Sequence, residues 1–114
     1  ISPYISSLTS YNSSIKKYIE FIQKNIQKPL TLDQFEKEFL TDRNTINRRF
    51  KKSTGFTIRQ YIIHYRITLS KKYLCEGSSV LESCLKAGFN NVSNYIRTFN
   101  SIVGISPKKY QRHL

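Results

Sequence analysis

The sequence predicts an all-α fold of seven helices, arranged as two helix-turn-helix subdomains joined by a long central helix. Three observations carry this prediction: apolar residues recur at steps of three and four, hydroxyl-bearing start signals precede several of the runs, and glycines follow them as stops.

Ile15, Tyr18, Ile19, Ile22 and Ile26 form one amphipathic stripe, which predicts a first helix near 13–27. Pro29 ends it, because Lys28 before a proline is pushed out of the helical region. Thr31-Leu-Asp-Gln34, Thr57-Ile-Arg-Gln60 and Ser79-Val-Leu-Glu82 each read as a capping box, starting helices near 32–39, 57–75 and 80–87. In each, the hydroxyl accepts from an orphan N–H and the side chain three residues on reaches back. Ser106-Pro107 starts a last helix near 107–112 with proline at its first position. Helices near 42–53 and 91–102 fill the intervals. Gly55, Gly77 and Gly104 read as left-handed stops, with Phe56 and Ile105 as the hydrophobic contacts that follow two of them.

In the central helix Tyr61, Ile62, Tyr65, Leu69 and Tyr73 line one face. At about 1.5 Å per residue it is about 27 Å long. Tyr61-Ile-Ile-His-Tyr is β-prone in isolation, but the capping box before it favours helix. The expected organisation is a linker over 1–12, a first subdomain over 13–56, the connecting helix over 57–76 and a second subdomain over 77–114. A chain without methionine that opens on Ile1 is expected to be a fragment of something longer, with the missing domain upstream.

Lysine and arginine outnumber aspartate and glutamate 19 to 7 in 114 residues, a formal charge of +12. That surplus calls for a polyanionic partner. No apolar run approaches the roughly 20 residues that span a bilayer, and Ile1 to Asn12 lacks the basic start and apolar stretch of a signal peptide. The expectation is a cytoplasmic protein without a membrane partner. Cys75 and Cys84 match neither a zinc pair nor a dense disulfide framework, so reduced thiols are expected, with Cys84 as a small buried residue. His64 and His113 have no nucleophile, acid pair or phosphate loop beside them and read as packing or surface residues. No catalytic residue, metal site or cofactor is expected.

Sliding the chain on itself by 49 positions superimposes Ile46 on Tyr95, Arg48 on Arg97, Phe50 on Phe99, Gly55 on Gly104 and Tyr61 on Tyr110. Two copies of one unit are therefore expected, each a short helix, a tight turn of two or three residues, a second helix and a glycine stop. At about 100° per residue, Ile46 and Phe50 point inward while Asn44, Arg48, Lys51 and Lys52 fall opposite, with Asn47 at the edge. In the second copy Tyr95 and Phe99 point inward and Ser93, Arg97, Asn100 and Ser101 fall opposite, with Val92 and Ile96 nearer the edges. Such faces suit a major groove: guanidinium groups can fork onto guanine, amides onto adenine, and apolar side chains can touch thymine methyl groups. A basic helix face is more often plain solvated surface, but two copies with arginine at equivalent angles on a chain of this charge favour DNA contact.

These residues resemble the DNA-binding domain of the AraC/XylS family of bacterial transcription regulators. The likeness runs from about Ile15 to Arg112. It is clearest in Ala87-Gly88-Phe89, in Ser93-Asn-Tyr95-Ile-Arg97-Thr-Phe99, and in Gly104-Ile-Ser106-Pro107-Lys-Lys-Tyr110; the first half agrees through Arg48-Arg-Phe50-Lys-Lys, Gly55 and Tyr61-Ile-Ile-His-Tyr-Arg66. The resemblance implies two recognition helices in successive major-groove segments and an upstream domain for effector or dimerisation. Carried over by position, Arg43, Asn44, Asn47 and Arg48 would face bases from the first unit, and Val92, Ser93, Ile96 and Arg97 from the second. Four residues depart from the pattern: Glu36 replaces a small alanine, Leu40 a glycine, Ser83 an aliphatic residue and Asn94 an aromatic.

Phosphate contacts are expected from Arg49, Lys51, Lys52, Asn100, Lys108 and Lys109, with help at the helix starts Thr31 and Ser79. Successive groove faces recur about every 34 Å against a helix of about 27 Å, so a bent duplex is the expected partner, and a non-palindromic one because the two units differ and follow one another head to tail. RNA polymerase and a second copy bound through the upstream domain are further expected partners. The alternative is an interaction module whose basic surface meets an acidic protein such as RNA polymerase or another regulator.

Overall fold

The computed structural model describes the backbone of residues 3–114 and the side chains of residues 13–114. Among the described residues there are seven helices and no strand: α1 (Pro3–Lys24), α2 (Leu32–Phe39), α3 (Arg43–Thr54), α4 (Ile58–Cys75), α5 (Val80–Lys86), α6 (Val92–Val103) and α7 (Pro107–Arg112). Of the expected linker 1–12, residues 1 and 2 lie outside the described residues. The first helix differs from its expected span, because it starts at Pro3, a residue compatible with a first turn, and ends at Lys24, where Asn25 bonds back to Phe21.

The start signals act as their chemistry requires. Thr31 and Ser79 form complete capping boxes with Gln34 and Glu82. Thr57 Oγ1 accepts from Gln60 N, and Thr57 N donates to Gln60 Oε1. Ser106 Oγ accepts from Lys109 N ahead of Pro107. Two further caps were hidden inside the expected ranges: Asp42 accepts from Thr45 N at 3.0 Å and Asn91 from Asn94 N at 2.9 Å, so both stand before their helices rather than in them. The connection from α5 to α6 is accordingly longer than a two- or three-residue turn, running from Ala87 to Asn91.

The chain forms two compact units. Unit 1 comprises residues 1–25 and 30–61, and unit 2 comprises 26–29 and 62–114. Unit 1 buries Ile15, Tyr18, Ile22, Phe35, Ile46, Phe50 and Ile58. Tyr18 meets Phe39 edge-on at 4.7 Å, and Phe21 meets Phe35 at 5.0 Å; such aromatic pairs add about 0.5–1.5 kcal/mol each beyond area burial. Unit 2 closes around Ile67, Leu74, Cys84, Ala87, Phe89, Tyr95 and Phe99. Burial pushes the Cys84 thiol and the Tyr95 phenol above their ordinary ranges. Ser83, where an aliphatic residue was expected from the resemblance, is buried with no partner for its hydroxyl among the described residues.

The single face expected of α4 is incomplete. Ile67, Ser70 and Leu74 are buried, and none of them belongs to the predicted stripe, whose Tyr65, Leu69 and Tyr73 are only half-buried. The unit boundary falls within α4, between Tyr61 and Ile62. A helix that serves two cores does not show one apolar period.

Leu40 closes α2 in the left-handed conformation, φ 50° and ψ 41°, with 91% of its surface exposed. A Cβ at that conformation costs about 1–2 kcal/mol, and nothing in so exposed a site offsets it. Leu40→Gly is expected to stabilise unit 1 by about 1 kcal/mol, less glycine's extra chain entropy. A urea midpoint that stayed put or fell would contradict this.

Candidate nucleic-acid interface

The two units build their second helices with matched parts. Asp42 and Asn91 cap the starts, while Gly55 and Gly104 close the ends at φ 85° and 95°, donating to Lys51 O and Asn100 O. Phe50 meets Tyr61 edge-on at 5.1 Å, and Phe99 meets Tyr110 at 5.6 Å. The repeat seen in the sequence is thus a repeat of cap, core pair and stop. Its consequence is that α3 and α6 are each held by one side, with Ile46 and Phe50 or Tyr95 and Phe99 fully buried.

The opposite sides are open. On α3 Asn44, Arg48, Arg49, Lys51 and Lys52 are exposed; on α6 Val92, Ser93, Ile96, Arg97 and Asn100 are exposed, and Lys108 and Lys109 follow on α7. Asn44, Arg48, Lys51 and Lys52 on α3, and Ser93, Arg97 and Asn100 on α6, lie on the side that the helical period set opposite the core pairs.

Two of the expected base-facing residues are committed within unit 1. The Arg43 guanidinium pairs with Glu36 at 2.9 Å and with Asp33, while Arg43 N donates to Glu36 at 2.8 Å. The Arg43 side chain and backbone together hold the Glu36 carboxyl below its usual range, and the Glu36 and Asp33 carboxylates raise Arg43 in turn. Arg43 therefore ties α2 to the start of α3, where negative charge is favoured by the helix dipole. Asn47 is half-buried and its Oδ1 accepts from Ile58 N at 3.0 Å, completing the start of α4. A bidentate contact with adenine needs that acceptor. Glu36, an unusual residue at its position, was the signal for the first of these ties; nothing local announced the second.

The helix starts differ in the same way. Thr31 and Ser79 are exposed, but both hydroxyls accept from capping-box amides. Ser79 N also donates to the Glu82 carboxylate at 3.4 Å, which puts negative charge beside an expected phosphate contact.

One feature went unread in the sequence. Between α6 and α7 lies a cleft of about 300 Å³ lined by Ile96, Arg97, Asn100, Ile105, Ser106 and Lys109. Ile105, expected to pack as the residue after a glycine stop, is 37% exposed at this cleft, whereas Phe56 after Gly55 is half-buried. Among the described residues no group of histidine, cysteine or carboxylate side chains could hold a metal ion, and no helix is long and apolar enough to cross a membrane.

Comparison with known proteins gives a consistent picture. A family model described as a helix-turn-helix domain matches residues 36–113. The Msm operon regulatory protein of Streptococcus mutans is 28% identical over 96% of this chain and 41% of its own length. The multiple antibiotic resistance protein MarA of Escherichia coli strain K12 is 26% identical over 86% of this chain and 78% of its own. The solved DNA-binding domain of AdpA, a global transcriptional factor in complex with a target DNA, has the same fold, with a TM-score of 0.81 at 21% identity over 88% of this chain and 91% of that one. The chain spans only 13 to 41% of the length of the first curated relatives it matches.

Proposed function

The chain belongs to the AraC/XylS family of helix-turn-helix transcription regulators, and from that premise we propose that it binds duplex DNA sequence-specifically, with α3 and α6 in successive major-groove segments. One observation carries the reading: two helices in structurally matched settings each turn an arginine and a small polar residue outward, Asn44 with Arg48 and Ser93 with Arg97, directly opposite a buried core pair. In unit 1 the reading set is Asn44 and Arg48, because Arg43 and Asn47 are engaged within the unit. Phosphates are met by Arg49, Lys51, Lys52, Asn100, Lys108 and Lys109. No reaction is proposed, since the family's members regulate transcription.

Two unlike units following one another in the chain favour an asymmetric site. A duplex bent at a cost of about a few kcal/mol goes with it. RNA polymerase and a second copy of the protein are proposed partners; the operon regulatory proteins it resembles extend well beyond the part this chain matches. We place its action in the cytoplasm, where its DNA target lies.

The test begins with duplexes selected from a random pool, followed by titration of variants on the selected and on random DNA. Arg48→Ala is expected to remove about 1–3 kcal/mol of discrimination at one or two base pairs, whereas Lys51→Ala weakens all sequences alike. Equal losses from both changes on both kinds of DNA would mean that Arg48 reads no base. Tight binding to an acidic protein, with no duplex retained at physiological salt, would favour the interaction-module alternative.

A further inference from the structure

The two recognition helices differ in chemical kind at two positions along one edge of their outward row. Moving by 49 residues, Val92 takes the place of Arg43 and Ile96 that of Asn47. In unit 1 these places hold polar side chains tied to Glu36, Asp33 and Ile58. In unit 2 they hold apolar side chains, each 38% exposed. Ile96 also lines the cleft with Ile105, and Arg97, Asn100 and Lys109 border the same space. The result is an apolar strip, Val92–Ile96–Ile105, edged by two cations and an amide.

A partner for this strip must combine apolar projections with regularly placed negative charge. A thymine-bearing DNA strand has both, since each thymine puts a 5-methyl group into the major groove and each nucleotide carries a phosphate. We infer that unit 2 reads its half of the site chiefly through pyrimidine 5-methyl groups, one against Val92 and one against Ile96, with Arg97 supplying the hydrogen-bonded contact beside them and Lys109 holding the strand. Unit 1 reads by hydrogen bonds alone, through Asn44 and Arg48. The inference rests on the DNA-binding reading above and adds the chemistry of the half-site.

The experiment uses the duplex selected from a random pool and replaces each thymine in turn by uracil, which keeps the pairing edge and loses the methyl group. At positions read by unit 2 each replacement should weaken binding about fourfold, the worth of one buried methyl-sized group, and two together about fifteenfold. Replacement at positions read by unit 1 should change nothing. Ile96→Ala, at a site exposed enough to leave the fold intact, should bind the thymine duplex more weakly and no longer distinguish it from the duplex carrying uracil opposite residue 96. Equal affinity of the unaltered protein for thymine and uracil duplexes would overturn the inference while leaving the DNA-binding reading standing, and so would an Ile96→Ala protein that keeps the full thymine preference. A pool that yields no bound duplex would remove both.

Discussion

Gly88→Ala is expected to destabilise unit 2 by at least about 3 kcal/mol, the largest stability loss of any glycine substitution in this chain. Two penalties coincide there. The backbone sits at φ 102°, a conformation that costs a residue with a Cβ about 1–2 kcal/mol. An added Cβ would also overlap the carbonyl oxygen of Ile26 and stand 2.8 Å from Arg66 Nε. Those atoms are bound to each other: Arg66 donates to Ile26 O through Nε at 3.1 Å and through Nη2 at 3.0 Å, and to Lys28 O at 2.9 Å. Burial lowers the Arg66 pKa, so the guanidinium is partly desolvated and depends on these carbonyls. Making room for a methyl group means separating them, on top of an overpacking cost of about 1–3 kcal/mol.

Gly104→Ala supplies the control. Its φ is 95° but nothing lies within 4 Å of a Cβ built there, so only the conformational penalty applies. Urea unfolding of the two variants separates strain from close approach by subtraction. Equal losses would mean that the contact with Ile26 and Arg66 has no energetic weight.

Raising the salt from about 50 to 200 mM is expected to cost the DNA complex a factor of about 10³–10⁴ in affinity. On the proposed reading the exposed cations of α3, α6 and α7 meet about six to eight phosphates, and each neutralised phosphate releases counterions with a slope of about −0.9, so the log–log slope should lie near −5 to −7. The carboxylates at the start of α3 are engaged within unit 1. Asp33 and Glu36 are paired with Arg43, and Asp42, lowered chiefly by its hydrogen bonds from the Thr45 side chain and backbone, caps the helix. Lys51→Ala should reduce the slope by about one. A flat salt response in titrations across this range would be incompatible with a phosphate-tracking surface, whatever the formal charge of +12.

Much of the fold and the exposed faces of α3 and α6 were legible in the residues alone. Helix ends were readable because a cap acts within three or four residues: Thr31 with Gln34, Ser79 with Glu82 and Ser106 with Lys109 bond as their spacing implies. The outward rows of α3 and α6 were readable because the helical period sets which side chains oppose Ile46 and Phe50, or Tyr95 and Phe99. Asp42 and Asn91 were placed one residue wrong, since a cap looks like a helical residue until its dihedral angles are known.

What the sequence by itself determined, then, was the order of helices, the pairing of two like units and the direction in which Arg48 and Arg97 point relative to their own cores. Only the tertiary structure decided that Arg43 binds α2, that Asn47 completes the start of α4, that Gly88 must stay bare beneath Ile26, and that Ile105 joins Ile96 in an open cleft. The reason is physical. Caps and helix faces are short-range consequences of backbone geometry, whereas a guanidinium or an amide goes to the strongest partner that packing brings within reach, and that partner can lie anywhere in the chain.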